Sequence, residues 1–336
     1  MTVPSNVAQP EGSWEAVAKT ASREPSERLN SHLPLDSLPG RSRRLHFFML
    51  LVCVCLFSLC AVGSWIGGVD SDWRTLAFAV GGLLPVSLLP GVLWHDAGRR
   101  QERDAAFTLP WIALLTILIP WAAVLSGRLG LPLRDALFVS LDDRLGFSVP
   151  AIVAWASAHS RIGAVLDHSY SLLFLLLPMA AVLPAVMGYR SAKRFLIANT
   201  IAFLVALPTF ALLPAIGPWA GFNRVGSAAQ KACEASIMAI RSGHPAAGAG
   251  IVCFPSFHVI WAVLSAAALW PMKPLRVPAI VLATLIVIST VTTGWHYVVD
   301  SLAGLVLAAI ALACADRFMD SRGGPDLAVS RLRAMH

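Results

Sequence analysis

Long uninterrupted apolar runs govern what this chain can fold into. Seven of them, at 46–66, 76–94, 107–126, 170–187, 195–216, 277–294 and 297–315, reach roughly the 18 residues that cross about 30 Å of hydrocarbon as a helix. An eighth, 258–272, is shorter. A backbone in lipid must satisfy its own hydrogen bonds, so runs of this length predict helices. The expected fold is all-α, a polytopic transmembrane helix bundle of about eight spans. Only 13% of the residues are charged while 57% are hydrophobic, which excludes a soluble enzyme. The apolar stretch 149–157 is too short to span and is expected at the interface, within a 127–169 connection.

The net charge of +7 is compatible with nucleic-acid binding, but the basic residues form short clusters between apolar runs, with no basic stripe or interleaved aromatics. No nucleic-acid partner is expected; the clusters read as topology signals. Alternating eight spans from a cytoplasmic start puts Arg99, Arg100, Arg103, Arg190, Lys193, Arg194, Lys273, Arg276 and both termini on one side. That side holds most of the 26 Lys and Arg, although the opposite side has the two longest loops. The positive-inside rule then places both termini in the cytoplasm. Tryptophans 65, 73, 94, 111, 219, 270 and 295 fall at span ends, where an aromatic belt is expected. Residues 1–45 are polar and have no compact apolar core of the signal-peptide kind, so they are expected to form a disordered cytoplasmic tail. Residues 46–106 supply two accessory spans, 107–315 a six-span core and 316–336 a second cytoplasmic tail.

Two segments stand out from this apolar background: Phe254-Pro255-Ser256-Phe257-His258 and Thr293-Gly294-Trp295-His296-Tyr297-Val298-Val299-Asp300. Both are expected at extracytoplasmic helix ends. The chain enters the membrane at His258, turns near Lys273 and returns, so a helical hairpin brings His258 and His296 to one level. Asp300 follows His296 by four residues, on the same face of a helix, where a carboxylate orients an imidazole. Singly, each is an ordinary interfacial residue or helix-terminal charge. Together they supply a nucleophile, an acid and an orienting group.

These blocks resemble the type 2 phosphatidic acid phosphatase superfamily, whose signature joins Pro-Ser-Gly-His to a Ser-Arg block ending in His, three residues, Asp. Pro255-Ser256-Phe257-His258 matches the first with Phe for Gly, and His296 to Asp300 matches the second. The superfamily's Arg falls on Thr290, and its Lys and Arg-Pro block has no match. In these departures, and in Leu213-Pro214-Ala215-Ile216-Gly217-Pro218-Trp219, the chain is similar to the inositolphosphotransferase branch, which contains inositol phosphorylceramide synthase. The resemblance covers about residues 107–315. Ser242-Gly243-His244 spells the motif more literally, but Pro245 and a Gly/Ala-rich stretch follow it, whereas His258 opens a span directly and is the expected site.

The resemblance implies a metal-independent lipid phosphatase or phosphotransferase without a cofactor. His296 would attack phosphorus, held by Asp300, and His258 would protonate the leaving group. The phosphohistidine would then pass its phosphoryl group to water or an alcohol. Ser256 is a candidate phosphate contact at a helix start. Arg224, Lys231 and Arg241 are candidates for the missing cationic clamp, against the alternative of solvated loop charges. Asp142, Asp143, His159 and His168 have no metal-ligand spacing, and no metal is expected. The short span 258–272 rises about 22 Å, so the site should lie below the outer surface and suit a lipid-linked phosphate entering sideways.

The expected protein is therefore an integral membrane enzyme, in a plasma or inner membrane, with an extracytoplasmic active site. Two other classes fit the same residues: a transporter or channel using the His/Asp cluster as a proton relay, and a non-catalytic membrane scaffold of this fold. Cys53, Cys55, Cys60 and Cys314 fall inside spans as packing residues. Cys233 and Cys253 share one outer loop and are expected to pair, with two free thiols as the alternative.

Overall fold

The computed structural model describes residues 39–67, 108–112, 114, 115, 118, 122, 126–224, 226–244 and 254–320, none of them in a strand. The chain divides into residues 1–47 and 48–336, and the helical bundle belongs to the second unit. Of the expected disordered tail 1–45, residues 1–38 lie outside the described residues and 39–45 are helical, the start of a helix that continues into the first apolar run; the run 76–94 and residues 321–336 also lie outside the described residues, and the run 107–126 is helical at its described positions.

The helices are α1 (Pro39–Gly67), α2 (Asp135–Arg144), α3 (Val149–Ala158), α4 (Ser160–Ser171), α5 (Leu173–Val186), α6 (Arg190–Leu212), α7 (Pro218–Gly221), α8 (Ala228–Arg241), α9 (Phe257–Leu269), α10 (Lys273–Thr292) and α11 (Val298–Asp320). Three of them, α6, α10 and α11, are long and apolar enough to cross a membrane. The shorter α5 and α9 and the Phe47–Leu59 part of α1 are apolar too. These positions correspond to six of the expected runs.

Ends differ from the hydropathy pattern for a physical reason. Helices α6 and α11 extend into polar sequence because their charges are paired there: Arg194 Nε and Nη2 donate to the two Asp316 carboxylate oxygens at 2.7 and 2.6 Å. Arg190 pairs with Asp320 one turn further on. A bidentate pair of this kind fixes the two helix ends against each other.

At the centre lies α9, packed against α5, α6, α10 and α11. Trp261 Nε1 donates to Asn199 Oδ1 at 2.9 Å, tying α9 to α6 by a polar bond within the apolar interior. Gly304 sets the approach of α11 to α9, since a Cβ there would stand 2.8 Å from the Ser256 carbonyl oxygen and 3.0 Å from Val259 Cβ. Outward from this core, Phe174, Val277, Val306 and Ile310 are all exposed apolar side chains. A continuous apolar exterior is what lipid, not water, would cover.

The 127–169 connection is largely helical. Ser148 accepts the Ala151 N–H through its side chain and Pro150 occupies the first turn, so α3 starts there. The chain bends by 115° between α3 and α4. Both helices pack on α10, and α2 packs on α7 and α11. Tyr170, which hydropathy makes the first residue of a span, is instead in the last turn of α4.

Candidate active site

Each of the two sequence blocks is shaped by local hydrogen bonds. Ser256 is the N-cap of α9; its Oγ accepts the Val259 N–H at 3.5 Å, and its own N–H donates to the Asp300 carbonyl at 3.1 Å. The start of α9 is thereby tied to the first turn of α11. At the other block, Gly294 takes φ +76°, a left-handed conformation that only glycine adopts without strain, and reverses the chain after α10. The His296 N–H then donates to the Thr290 carbonyl at 3.0 Å.

His296 precedes α11 rather than lying on it, so its relation to Asp300 is not that of two residues on one helical face. Asp300 is in the first turn, and its Oδ2 accepts the Tyr297 N–H at 2.9 Å, as an acidic residue does when it reaches back to cap a helix start. That same oxygen stands 3.6 Å from His296 Nδ1, an electrostatic contact rather than a short hydrogen bond. Both residues are buried. The rings of His258 and His296 lie 5.6 Å apart between centroids at 57°. Three of the sequence candidates, His258, His296 and Asp300, are thus brought together.

An aromatic wall completes the pair. Tyr170 stacks on His258 at 4.3 Å and 18°, with its hydroxyl 3.4 Å from His258 Nδ1. Trp295 lies parallel to Tyr170 at 6.1 Å and 9°, and Phe174 meets His258 edge-on at 6.3 Å. Sequence patterns gave no reason to single out Tyr170, because nothing local distinguishes it from other aromatic residues at a span boundary.

Two carboxylates of α2 hold the turn that carries His296. Asp142 is fully buried and accepts the N–H groups of Val298 at 3.0 Å and Val299 at 2.9 Å, the first amides of α11. Burial raises its carboxyl above the ordinary range, against the pull of these two hydrogen bonds, and Asp300 adds a like charge. Asp135 accepts the Ile216 and Gly217 N–H groups at 3.1 and 2.9 Å and the Tyr297 hydroxyl at 3.0 Å. One signal for the two was present in the sequence: seven residues is two helical turns, so both face the same way.

The remaining candidates are placed differently. Arg224 donates to the Pro150 carbonyl at 3.0 Å. It lines a small cavity, open to solvent on one side, shared with Trp219, Gln230, Thr293 and Gly294. Gln230 fixes the cavity wall by donating to the Thr293 and Gly294 carbonyls at 3.3 and 3.1 Å. Lys231 is exposed on α8. Arg241 donates to the Gly130 and Leu131 carbonyls at 3.4 and 2.8 Å, joining α8 to that loop. Ser256 is buried with its hydroxyl turned to its own helix. Thr290, in the superfamily's Arg position, is buried and pairs its hydroxyl with Ser301 at 2.9 Å.

Ser242 and His244 bond each other at 3.0 Å on the exposed end of α8. Cys233 is buried against Ile216, Trp219 and Ile237, and burial pushes its thiol up to about 11. Cys253 lies outside the described residues. Among the described residues, no group of three or more His, Cys, Asp or Glu is arranged to hold a metal ion.

The helices define an all-α protein of membrane type. A family model described as the PAP2 superfamily matches residues 136–314, from α2 into α11, which includes the histidines, Asp300, Tyr170 and Asp142. The chain belongs to the PAP2 superfamily, which implies phosphatase-type phosphoryl transfer on lipid-like substrates in a membrane and whose members are generally metal-independent. No curated protein and no solved structure matches the chain.

Proposed function

We propose that this protein transfers the phosphoryl group of a lipid-linked phosphate through a phosphohistidine intermediate on His296. The observation that carries the reading is the pairing of His258 and His296 at 5.6 Å, with Asp300 behind His296 Nδ1 at 3.6 Å.

The Asp300 carboxylate keeps the proton of neutral His296 on Nδ1 and so leaves the Nε2 lone pair as nucleophile. As the N–P bond forms, the P–O bond to the leaving group breaks and His258 gives its Nε2 proton to the leaving oxygen. Water or an alcohol then attacks phosphorus as the N–P bond breaks and neutral His296 is restored, and His258 takes the proton of the attacking hydroxyl. Of the three cationic candidates, Arg224, which lines the cavity with Thr293 and Gly294 just before His296 in the chain, is the one we assign to a phosphate oxygen. Lys231 and Arg241 rank behind it, and Ser256 acts through the helix start.

Lateral entry of a lipid is supported by Phe174, which is 67% exposed on the apolar exterior while its ring meets His258 edge-on. α9 has 13 residues, a rise of about 20 Å against about 30 Å of hydrocarbon, which supports a position of His258 below the membrane surface. Charge distribution supports an extracytoplasmic site with cytoplasmic termini, in a plasma or inner membrane. Hydrolysis and transfer to an alcohol such as inositol share the first half-reaction. The similarity to the inositolphosphotransferase branch makes transfer the activity to test beside hydrolysis. Protein purified in detergent, given a panel of lipid phosphates and inositol-containing phospholipids with and without added alcohols, should release phosphate or form the exchanged headgroup. Inactivity toward every lipid-linked phosphate would count against the reading.

A further inference from the structure

Basic residues gather at the end of the bundle away from His258, where α6 begins and α9 and α11 end. Trp270 stands twelve residues after His258, a rise of about 18 Å along α9. A groove of about 440 Å³ lies there, lined by Arg190, Ser191 and Arg194 of α6, by Trp270, and by Asp316 and Met319 of α11. We propose that this groove binds the phosphate of an anionic phospholipid, at a site separate from the one at His258.

Donors on the α6 side of the groove select an anion. The first turn of α6 has no acidic residue and no side-chain cap, so nothing of its own offsets the positive end of the helix. Ser191, in that turn, is 7% exposed, and its Oγ has no hydrogen-bond partner among the described residues. Thr200, one of the other buried hydroxyls of α6, bonds back to the Leu196 carbonyl at 2.8 Å. Ser191 has no preceding helical turn to bond to, and an acceptor oxygen in the groove would complete it. The two arginines keep donors as well. Asp316 takes Nε and Nη2 of Arg194, and Asp320 takes Nη2 of Arg190, which leaves Nη1 of Arg194 and Nε and Nη1 of Arg190. The side chains of Arg190 and Asp320 are both mostly exposed, so water screens that pair and a phosphate can share it.

The opposite wall selects a lipid over a free anion. Trp270 is 51% exposed, Arg276 stands over its ring at 4.6 Å, and Met319 continues the apolar side. A tryptophan beside basic residues at a helix end belongs at headgroup level, where an acyl chain can lie on the apolar wall while its phosphate meets the arginines. The distribution of Lys and Arg supports a cytoplasmic position for this end, and anionic lipids give that leaflet its negative potential. A headgroup bound there would join the start of α6 to the α9–α10 turn and the end of α11.

Native mass spectrometry of the purified full chain tests this with phosphatidylglycerol, phosphatidylcholine and inorganic phosphate as probes. Phosphatidylglycerol should be retained in clear preference to phosphatidylcholine, and inorganic phosphate at equal concentration should not displace it. Arg190→Gln should weaken phosphatidylglycerol binding about fivefold, the worth of one basic residue at an anionic surface. Asp320→Asn should strengthen it, because Arg190 is then free for the headgroup. These opposite signs separate headgroup binding from a structural ion pair, whose loss is felt alike from either partner. A photoreactive phosphatidylglycerol should crosslink to peptides containing Trp270 or Met319, which distinguishes this site from substrate held at His258. Equal retention of the two lipids, displacement by inorganic phosphate, weaker binding in Asp320→Asn, or crosslinks confined to the region of His258 would each overturn the proposal. Should Arg190→Gln fail to fold, Asp320→Asn and the crosslinks decide it.

Discussion

Asp142 accepts the backbone N–H of Val298 at 3.0 Å across 156 positions of sequence, capping a helix that its own segment does not contain. With Val299 held by the other oxygen at 2.9 Å, one buried carboxylate from α2 serves the first turn of α11, two residues after His296. Asp142→Ala would leave two buried amides without that acceptor, a loss of about 1–3 kcal/mol for each unsatisfied group. Asp142→Asn keeps one acceptor oxygen and should be milder. Thermal melting in detergent checks this: an alanine variant that melts with the wild type would remove Asp142 from the account of how the turn is held.

His258→Ala and His296→Ala should each lower turnover by about a hundredfold or more, the usual worth of acid–base or nucleophilic groups. Asp300→Asn should also be severe, since it removes the charge behind His296 and one capping acceptor. Folding, followed by circular dichroism and gel filtration, should survive the two alanine substitutions. A histidine variant retaining a substantial part of wild-type activity would contradict the assignment.

Gly304 touches no reacting group, yet its substitution should reach the site. A Cβ at that position meets the Ser256 carbonyl oxygen at 2.8 Å, and that backbone cannot rotate away as a flexible side chain would. Gly304→Val should destabilise by about 1–3 kcal/mol, as overpacking does. It should also reduce kcat by separating the start of α9 from α11. Unchanged melting and activity together would show that the helices part without cost.

Chelation should leave activity intact, because the proposed mechanism uses both histidines and the carboxylate for proton and phosphoryl transfer. Vanadate should inhibit by mimicking five-coordinate phosphorus. Activity lost in EDTA and restored by a divalent ion would require a different chemistry at these residues.

Cys233 should react slowly with maleimide at neutral pH in the folded protein, because the thiol is buried and its pKa is pushed up to about 11. Resistance to labelling is therefore no sign of a bond to Cys253. Intact mass before and after reduction, measured on protein denatured without reductant, separates a Cys233–Cys253 disulfide from two thiols. Rapid labelling of Cys233 in the native state would contradict its burial.

The helical class and the position of most helices were legible from apolar run length, because a backbone in lipid leaves few other structures. His258, His296 and Asp300 were legible from spacing, because a hairpin returns the chain to its starting level. The tightness of the start of α11 was not: His296 falls before the helix, and its contact with Asp300 depends on the glycine turn at Gly294 and the capping bond to Tyr297. Tyr170, Asp135 and Asp142 became site residues only through tertiary structure. They arrive from a segment that hydropathy marks as a mere connection; the seven-residue spacing puts Asp135 and Asp142 on one helical face, but nothing local names the distant backbone amide or imidazole that each residue will meet. Sequence alone determined which candidate groups the hairpin brings together. The packing of α2 and α4 decided what stands behind each histidine, because that depends on contacts between residues far apart in the chain.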